Sequence, residues 1–325
     1  MNFKQRYVDY KKLVDSYLRE FIRDSRPRSL YQPIRYVLGA GGKRIRSILV
    51  LLACEAVGGR KESAVHASAA MELLHNFTLV HDDIMDNASS RRGRATVHTK
   101  WDHNVAILVG DEILALAYRA LLKTVSPRIR DVSRVFTEGV VEVCEGQAYD
   151  KEFETRSNVR VADYLLMIQK KTGKLVAVST ELGGLIGNGS AKQVTALRKY
   201  GERVGRAFQI QDDLLDIVAD EEEFGKTIGS DLQEGKRTYL LLEALRNASG
   251  KDKRLLQAVM RNGGVSRKRV KEFQRIYRET GAMDSAQKKI ARDIADAKLE
   301  LQRLPDSRAR GMLYWFTEML LHRTY

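Results

Sequence analysis

The sequence predicts an all-α fold, a large helical bundle, and three observations lead there. Only four prolines occur in 325 residues, so long helices can run without interruption. Segments of strict polar–apolar alternation are hard to find. The apolar segments at 45–57, 64–80 and 105–122 instead follow the three- and four-residue spacing of helices.

In chain order, Phe3, Tyr7, Tyr10, Val14, Leu18 and Phe21 form one apolar stripe on a first helix. Short breaks are expected at 39–42, 57–61, 87–94, 126–130, 155–159, 187–191, 220–235 and 248–252. Gly58-Gly59 reads as a helix stop, and Asp252 and Ser266 as N-caps of C-terminal helices. Helical segments, ten or more by this reading, lie between the breaks. No Pro/Gly/Ser linker divides the chain, so residues 1–325 are expected to form a single domain.

The formal charge is +14, and residues 246–325 carry 19 Lys/Arg against nine Asp/Glu. Aromatics do not interleave with those basic runs as a stacking platform for nucleic acid would require, so solvated helix faces are the reading and no nucleic-acid partner is expected. Weak contact with an anionic membrane surface stays open. No charge-free apolar stretch reaches 18 residues, so no membrane span is expected. Cys54 and Cys144 lack metal or disulfide spacing and read as core thiols of a reducing compartment, which places the protein in the cytoplasm.

The chemistry is concentrated in two Asp-Asp-x-x-Asp clusters, Asp82-Asp83-Ile84-Met85-Asp86 and Asp212-Asp213-Leu214-Leu215-Asp216. On a helix, Asp82 and Asp86 share one face with β-carbons about 5–6 Å apart, and Asp212 and Asp216 do the same. Three like charges on an apolar helix are costly unless cations neutralise them. Oxygen ligands without Cys or His select Mg2+, or Mn2+, over zinc, and Mg2+ fills its other positions with water and phosphate oxygens. A diphosphate substrate between two aspartate walls is the expectation.

Cations for such a substrate come from three places. Gly41-Gly-Lys-Arg-Ile-Arg46 brings Lys43, Arg44 and Arg46 to the start of an apolar helix. Arg91-Arg92-Gly93-Arg94 follows the first cluster across a polar turn able to fold back over it. Phe224 to Arg237 is a glycine-marked loop after the second cluster whose Lys226 and Lys236 could close over a phosphate. Lys170-Lys-Thr-Gly-Lys174 reads as a glycine break that bares main-chain carbonyls to the interior, where they could stabilise a carbocation. His75 lies two turns before Asp82 on the same helix face.

Together these pieces resemble the trans-isoprenyl diphosphate (polyprenyl) synthase family. The matching segments are GGKRIR at 41–46, LLHNFTLVHDDIMDNASSRRGRATVH at 73–98, GD at 110–111, KTG at 171–173, FQIQDDLLD at 208–216 and GKTIGSDLQEGKRT at 225–238. The resemblance implies an isoprenoid-synthase bundle around a deep central cavity, a homodimer, and about three Mg2+ ions per site. Asp82, Asp86 and Asp212 are the implied principal metal ligands, supported by Asp83, Asp213 and Asp216. Lys43, Arg46, His75 and Arg92 match the isopentenyl diphosphate site. Arg91, Lys171, Thr172, Gln209, Lys226 and Lys236 match the allylic diphosphate site. Ser47 departs from the family, which commonly has proline there; the expected effect is a softer helix start.

The implied activity is condensation of isopentenyl diphosphate with dimethylallyl, geranyl or farnesyl diphosphate. Product length is expected to depend on the helix carrying Asp82. Phe77 lies five residues upstream, about 7.5 Å along the axis, where its ring can act as a floor; Thr78 leaves room beside it and Leu74 forms the next layer. An aromatic there, with no insertion in the aspartate motif, looks like archaeal short-chain enzymes. Geranylgeranyl diphosphate (C20) is the expected product, with C15 and C25 as alternatives. A terpene cyclase is disfavoured by the second cluster and GGKRIR, and a non-catalytic basic helical subunit by the intact aspartates.

Overall fold

Residues 2–23, 25–218 and 228–321 are described by the structure, a computed structural model, and the fold is all-α. Asn2 caps α1 (Phe3–Phe21), accepting from the Gln5 amide, and the expected stripe turns Tyr10, Val14 and Leu18 inward. α2 (Arg28–Leu38), α3 (Ile45–Ala56) and α4 (Lys61–Met85) follow, then a two-stranded hairpin, β1 (Ser90–Arg91) and β2 (Arg94–Ala95). After it come α5 (Val97–Lys100), α6 (His103–Leu121), α7 (Ile129–Thr155) and α8 (Val161–Ile168). A π-helical turn, Gln169–Gly173, leads into α9 (Lys174–Ile186) and α10 (Ala191–Val218). The remaining helices are α11 (Ser230–Gln233), α12 (Tyr239–Asn247), α13 (Gly250–Asn262), α14 (Val270–Glu279), α15 (Ala282–Leu301) and α16 (Arg308–Leu321), with a 3-10 turn at Arg267–Arg269.

Two compact units interleave along the chain. The first comprises Met1–Glu138, Val178–Arg198 and Arg303–Leu313; the second comprises Gly139–Ala177, Lys199–Gln302 and Tyr314–Tyr325. In the first, every residue from Ile48 to Cys54 is wholly buried, so α3 is apolar all round instead of amphipathic. α4 packs chiefly on α6 and α3. Small residues set the spacing: a β-carbon on Gly110 of α6 would lie 2.1 Å from the His81 ring, and one on Gly183 would lie 2.3 Å from the Val50 carbonyl. The core of the second unit gathers Tyr164, Ile168, Ile210, Leu214, Leu241, Phe273 and Tyr277 with their neighbours.

Three local features depart from the sequence reading. The polar turn after the first aspartate cluster is a β-hairpin, whose two turn residues, Arg92 and Gly93, both have positive φ (52° and 70°). That is the type I′ geometry, whose twist suits adjoining antiparallel strands. Thr172-Gly173 does not break its helix; the chain widens into the π turn and continues. Ser249, not Asp252, occupies the N-cap of α13, while Asp252 sits in the first turn, where a carboxylate suits the helix dipole, and pairs with Arg275 at 3.1 Å. Ser266 occupies the N-cap position of the short 3-10 turn without a side-chain capping bond.

Candidate active site

Asp82 lies in the last turn of α4 and Asp86 is its C-cap, the Asp86 amide still bonding to the Asp82 carbonyl at 2.9 Å. The i,i+4 relation therefore survives although Asp86 is just outside the helix. The negative end of the helix dipole adds to these carboxylates and raises the demand for a cation. Asp82 is half-buried and Asp86 exposed, whereas Asp83 is buried and bonded to Arg91 Nε at 2.6 Å. Burial pushes the Asp83 carboxyl above its ordinary range, and Arg91 pulls the other way. The hairpin thus folds Arg91 back onto the cluster, by way of the middle aspartate.

The four residues matched to isopentenyl diphosphate all belong to the first unit, and their segments meet. Arg92 donates from Nη1 to the Gly41 carbonyl, and a β-carbon on Gly42 (φ +140°) would lie 2.9 Å from the Arg92 guanidinium. Arg46 Nη1 lies 3.2 Å from His75 Nε2. Because arginine can only donate, His75 Nε2 accepts and its proton sits on Nδ1, a buried donor without a partner among the described residues. Burial, followed by Arg46 and Arg92, holds the His75 pKa well below the usual imidazole value, so the ring stays neutral. Lys43 is exposed and its carbonyl accepts from Tyr7 Oη. Arg44 is turned inward, bonding Glu72, Asp15 and the Leu38 carbonyl, and so is not available to a phosphate.

The second cluster lies within α10. Asp212 is half-buried, while Asp213 and Asp216 are buried. Asp213 accepts from Tyr164 Oη (2.5 Å), Gln209 Nε2 (3.1 Å) and the Tyr239 amide (3.3 Å). Burial and the charge of Asp231 push Asp213 up to about 8. Asp216 accepts from Ser230 Oγ at 2.6 Å and from the Ser230 and Asp231 amides, so it anchors the start of α11.

Four residues matched to the allylic diphosphate converge in the second unit. Lys171 Nζ pairs with Asp150 at 2.5 Å, and Thr172 Oγ1 donates to Gln209 Oε1 at 2.9 Å. Lys236 pairs with Asp231 (3.3 Å) and Glu234 (2.9 Å), and with Lys171, Thr172 and Gln209 it lines a recess of about 120 Å3. Burial opposes the Lys236 charge, but Asp231 and Glu234 outweigh it and raise its pKa. Burial also pushes Asp231 up to about 6, against the pull of Lys236. Lys171 and Thr172 are presented by the π turn, which is gripped at two glycines. A β-carbon on Gly146 would lie 2.4 Å from the Lys171 amide nitrogen, and one on Gly205 would lie 2.6 Å from Gly173 Cα. Arg91 belongs to the other unit, and Lys226 lies outside the described residues.

The donor chemistry fits Mg2+. Asp83, Asp213 and Asp216 are buried and hydrogen-bonded within the protein, whereas Asp82 and Asp212 are half-buried and Asp86 is exposed. Among the described residues no three His, Cys, Asp or Glu side chains converge to enclose an ion. Mg2+ does not need such an enclosure, because one or two carboxylates suffice when water and phosphate complete the octahedron. Of the residues assigned to product length, Phe77 is 8% exposed with its ring 4.7 Å from that of His81, Leu74 is wholly buried, and Thr78 Oγ1 bonds the His75 carbonyl.

Glu72, Asp150, Tyr164 and Asp231 escaped the sequence reading. Glu72 and Tyr164 stand in apolar helical segments without a motif signal, and only their partners, distant in sequence, reveal them. Asp231 lay inside the glycine-marked loop that was noted for its lysines.

Comparison with known proteins adds an independent line. The model of the family described as polyprenyl synthetase matches residues 27–277. A short chain isoprenyl diphosphate synthase of Methanothermobacter thermautotrophicus is 40% identical, with 97% of each chain covered. A geranylgeranyl diphosphate synthase of Methanosarcina mazei is 37% identical, covering 96% of this chain and 95% of its own. The crystal structure of geranylgeranyl pyrophosphate synthetase from Pyrococcus horikoshii superposes with a TM-score of 0.93 at 38% identity, covering 99% of this chain and 100% of the other.

Proposed function

Because the chain belongs to the polyprenyl synthetase family, we propose that it is a short-chain trans-prenyltransferase that joins isopentenyl diphosphate to an allylic diphosphate, with geranylgeranyl diphosphate as main product. The observation carrying this reading is the near full-length match to short-chain and geranylgeranyl diphosphate synthases. Retention of both aspartate clusters and of the cationic segments supports it. Residues 1–325 act as one synthase domain.

Lys43, Arg46 and Arg92 bind the diphosphate of isopentenyl diphosphate, and the orphan Nδ1–H of neutral His75 donates to it. Lys171, Lys236, Thr172 and Gln209 bind the allylic diphosphate, together with Arg91 and Lys226. Asp82, Asp86 and Asp212 would hold Mg2+, about three ions per site, which would supply the positive charge that makes diphosphate a good leaving group. Asp83, Asp213 and Asp216 hold their surroundings in place: Asp83 orients Arg91, Asp213 ties α8 and α12 to α10, and Asp216 ties α11 to it. The allylic C–O bond breaks, the double bond of isopentenyl diphosphate attacks the resulting cation, and a proton leaves to the released diphosphate. Apolar side chains exclude the water that would quench the cation. No side chain forms a covalent intermediate.

A homodimer accompanies this reading. Along α6 and just beyond it, Leu108, Leu122 and Val125 are 60%, 66% and 91% exposed, apolar surface suited to a second copy. No helix among the described residues is long and apolar enough to cross a membrane. Cys54 is buried as expected of a core thiol, whereas Cys144 is exposed and not in the core; both are free thiols, which suits a reducing cytoplasm. Incubation with isopentenyl diphosphate, each allylic primer in turn and Mg2+, followed by measurement of product length, tests the whole reading. A C20 prenyl diphosphate is expected; absence of condensation with every primer would refute it.

A further inference from the structure

The loop at 41–44 has an unusual backbone: Gly41, Gly42 and Arg44 all have positive φ (75°, 140° and 50°). Arginine in the left-handed region persists only where its surroundings fix it. Those surroundings centre on Glu72, which is 2% exposed in the middle of α4. Its Oε1 accepts from Arg44 Nη1 (2.7 Å) and Asn76 Nδ2 (3.2 Å), and its Oε2 from Ser47 Oγ (2.7 Å). Arg44 places its other donors on Asp15 Oδ1 and the Leu38 carbonyl, both at 2.8 Å. Ser68 Oγ donates to the Ser47 carbonyl at 2.9 Å. Tyr7 reaches from α1 to the Lys43 carbonyl. One buried carboxylate thus holds a residue on each side of the loop-to-helix junction, and Lys43 and Arg46 stand between or beside the held positions. His75 follows Glu72 by three residues on α4, so the same helix turn carries the clamp and a substrate-binding side chain.

We propose that Glu72 is a positioning residue for the isopentenyl diphosphate pocket: through Arg44 and Ser47 it fixes the loop that presents Lys43 and Arg46, with Asp15 of α1 bracing Arg44 from the other side. The proposal rests on the assignment of Lys43, Arg46, His75 and Arg92 to that substrate. Glu72 touches neither diphosphate. Its effect is therefore selective, falling on one substrate while ionisation of the other is untouched. Ser47 gains a specific role, since its hydroxyl satisfies the second carboxylate oxygen and its carbonyl is held by Ser68.

The test measures KM for isopentenyl diphosphate, KM for the allylic substrate and kcat in the full-length Glu72→Gln, Ser47→Ala and Asp15→Asn variants. Glu72→Gln is expected to raise KM for isopentenyl diphosphate about tenfold or more, with allylic KM and kcat within about twofold. Ser47→Ala and Asp15→Asn should raise the same KM by about three- to fivefold. An unchanged KM for isopentenyl diphosphate in the folded variants overturns the proposal, as does an equal rise in both KM values with a fall in kcat. If circular dichroism shows Glu72→Gln unfolded, the other two variants decide on the same criteria. Lys43→Ala separates the two levels of inference. If it leaves KM for isopentenyl diphosphate unchanged, the pocket assignment fails and the proposal with it; if it raises that KM while the clamp variants do not, the proposal alone fails.

Discussion

Of the six aspartates of the two clusters, Asp83, Asp213 and Asp216 are buried, while Asp82 and Asp212 are half-buried and Asp86 is exposed, and the division predicts different mutant behaviour. Asp82→Ala and Asp212→Ala should each lower kcat by about a thousandfold or more with helix content intact, because the leaving diphosphate loses its neutralising cation. Turnover near wild type in either variant contradicts the metal assignment. Asp213→Ala removes the acceptor of Tyr164 Oη, Gln209 Nε2 and the Tyr239 amide, two of them buried, and should cost about 2 kcal/mol or more in urea denaturation in metal-free buffer. Asp83→Ala should cost less, about 1–2 kcal/mol, because its partner Arg91 is 39% exposed and can turn to water. His75 gives a pH signature. Its folded pKa is depressed, so the unfolded chain takes up the proton first, near pH 6.5, and stability falls as pH drops below that value. His75→Gln should therefore flatten the decline of Tm between pH 7 and pH 5; an identical decline in both proteins would contradict the neutral, buried ring.

Elements show where the sequence is legible and where it is silent. Helices are readable because their signal is local: the stripe of α1 lies in its own spacing, and the segment at 45–57, assigned from helical spacing, does form α3, although its core proves buried on every side. The π turn was read as a break because its cause is not local. Gly173 alone signals interruption, whereas Gly146 of α7 and Gly205 of α10 close on the turn and keep the helix continuous. The hairpin was read as a turn because strands of two residues carry no period, although Arg92-Gly93 occupies the two positive-φ positions. The two aspartate clusters stand out in the sequence through the cost of like charges on apolar helices, whereas the choice of Asp82, Asp86 and Asp212 among them as metal ligands rests on the family resemblance alone. Glu72 does not stand out, since a lone acid in an apolar helix acquires meaning only from Arg44 and Ser47. The grip on the π turn has a consequence that can be measured. In Gly146→Ala the added carbon would press on backbone, which cannot swing aside, so Lys171 and Thr172 must shift. A loss of about 1–3 kcal/mol in stability, with a rise in allylic KM and little change in KM for isopentenyl diphosphate, is expected; an allylic KM equal to wild type would mean that the turn does not set the position of these two residues.

For the molecule as a whole, chemistry is encoded in a few charged side chains, but product length is encoded in volume, which no motif reports. A growing tail stops where the space available to it stops. The α4 positions upstream of Asp82 differ in burial: Phe77 is 8% exposed with its ring tilted against that of His81, while Leu74, nearly one further turn back, is wholly buried. His81 is itself confined by Gly110, so the Phe77 ring has a fixed neighbour. If Phe77 is the floor, removing it must act before anything behind it can. Phe77→Ala should lengthen the product by roughly one isoprene unit, the five-carbon step added in each condensation, because the next layer, Leu74, lies only three residues or about 4.5 Å of helix axis further back. Leu74→Ala alone should leave the product at C20, because the Phe77 ring still blocks the way, and should show its loss as stability, about 2–4 kcal/mol for a fully buried leucine. The double variant should exceed Phe77→Ala in chain length. Product analysis after exhaustive reaction with excess isopentenyl diphosphate separates these outcomes. Lengthening by Leu74→Ala alone would place the floor deeper than Phe77, and unchanged product in Phe77→Ala would reduce that ring to core packing.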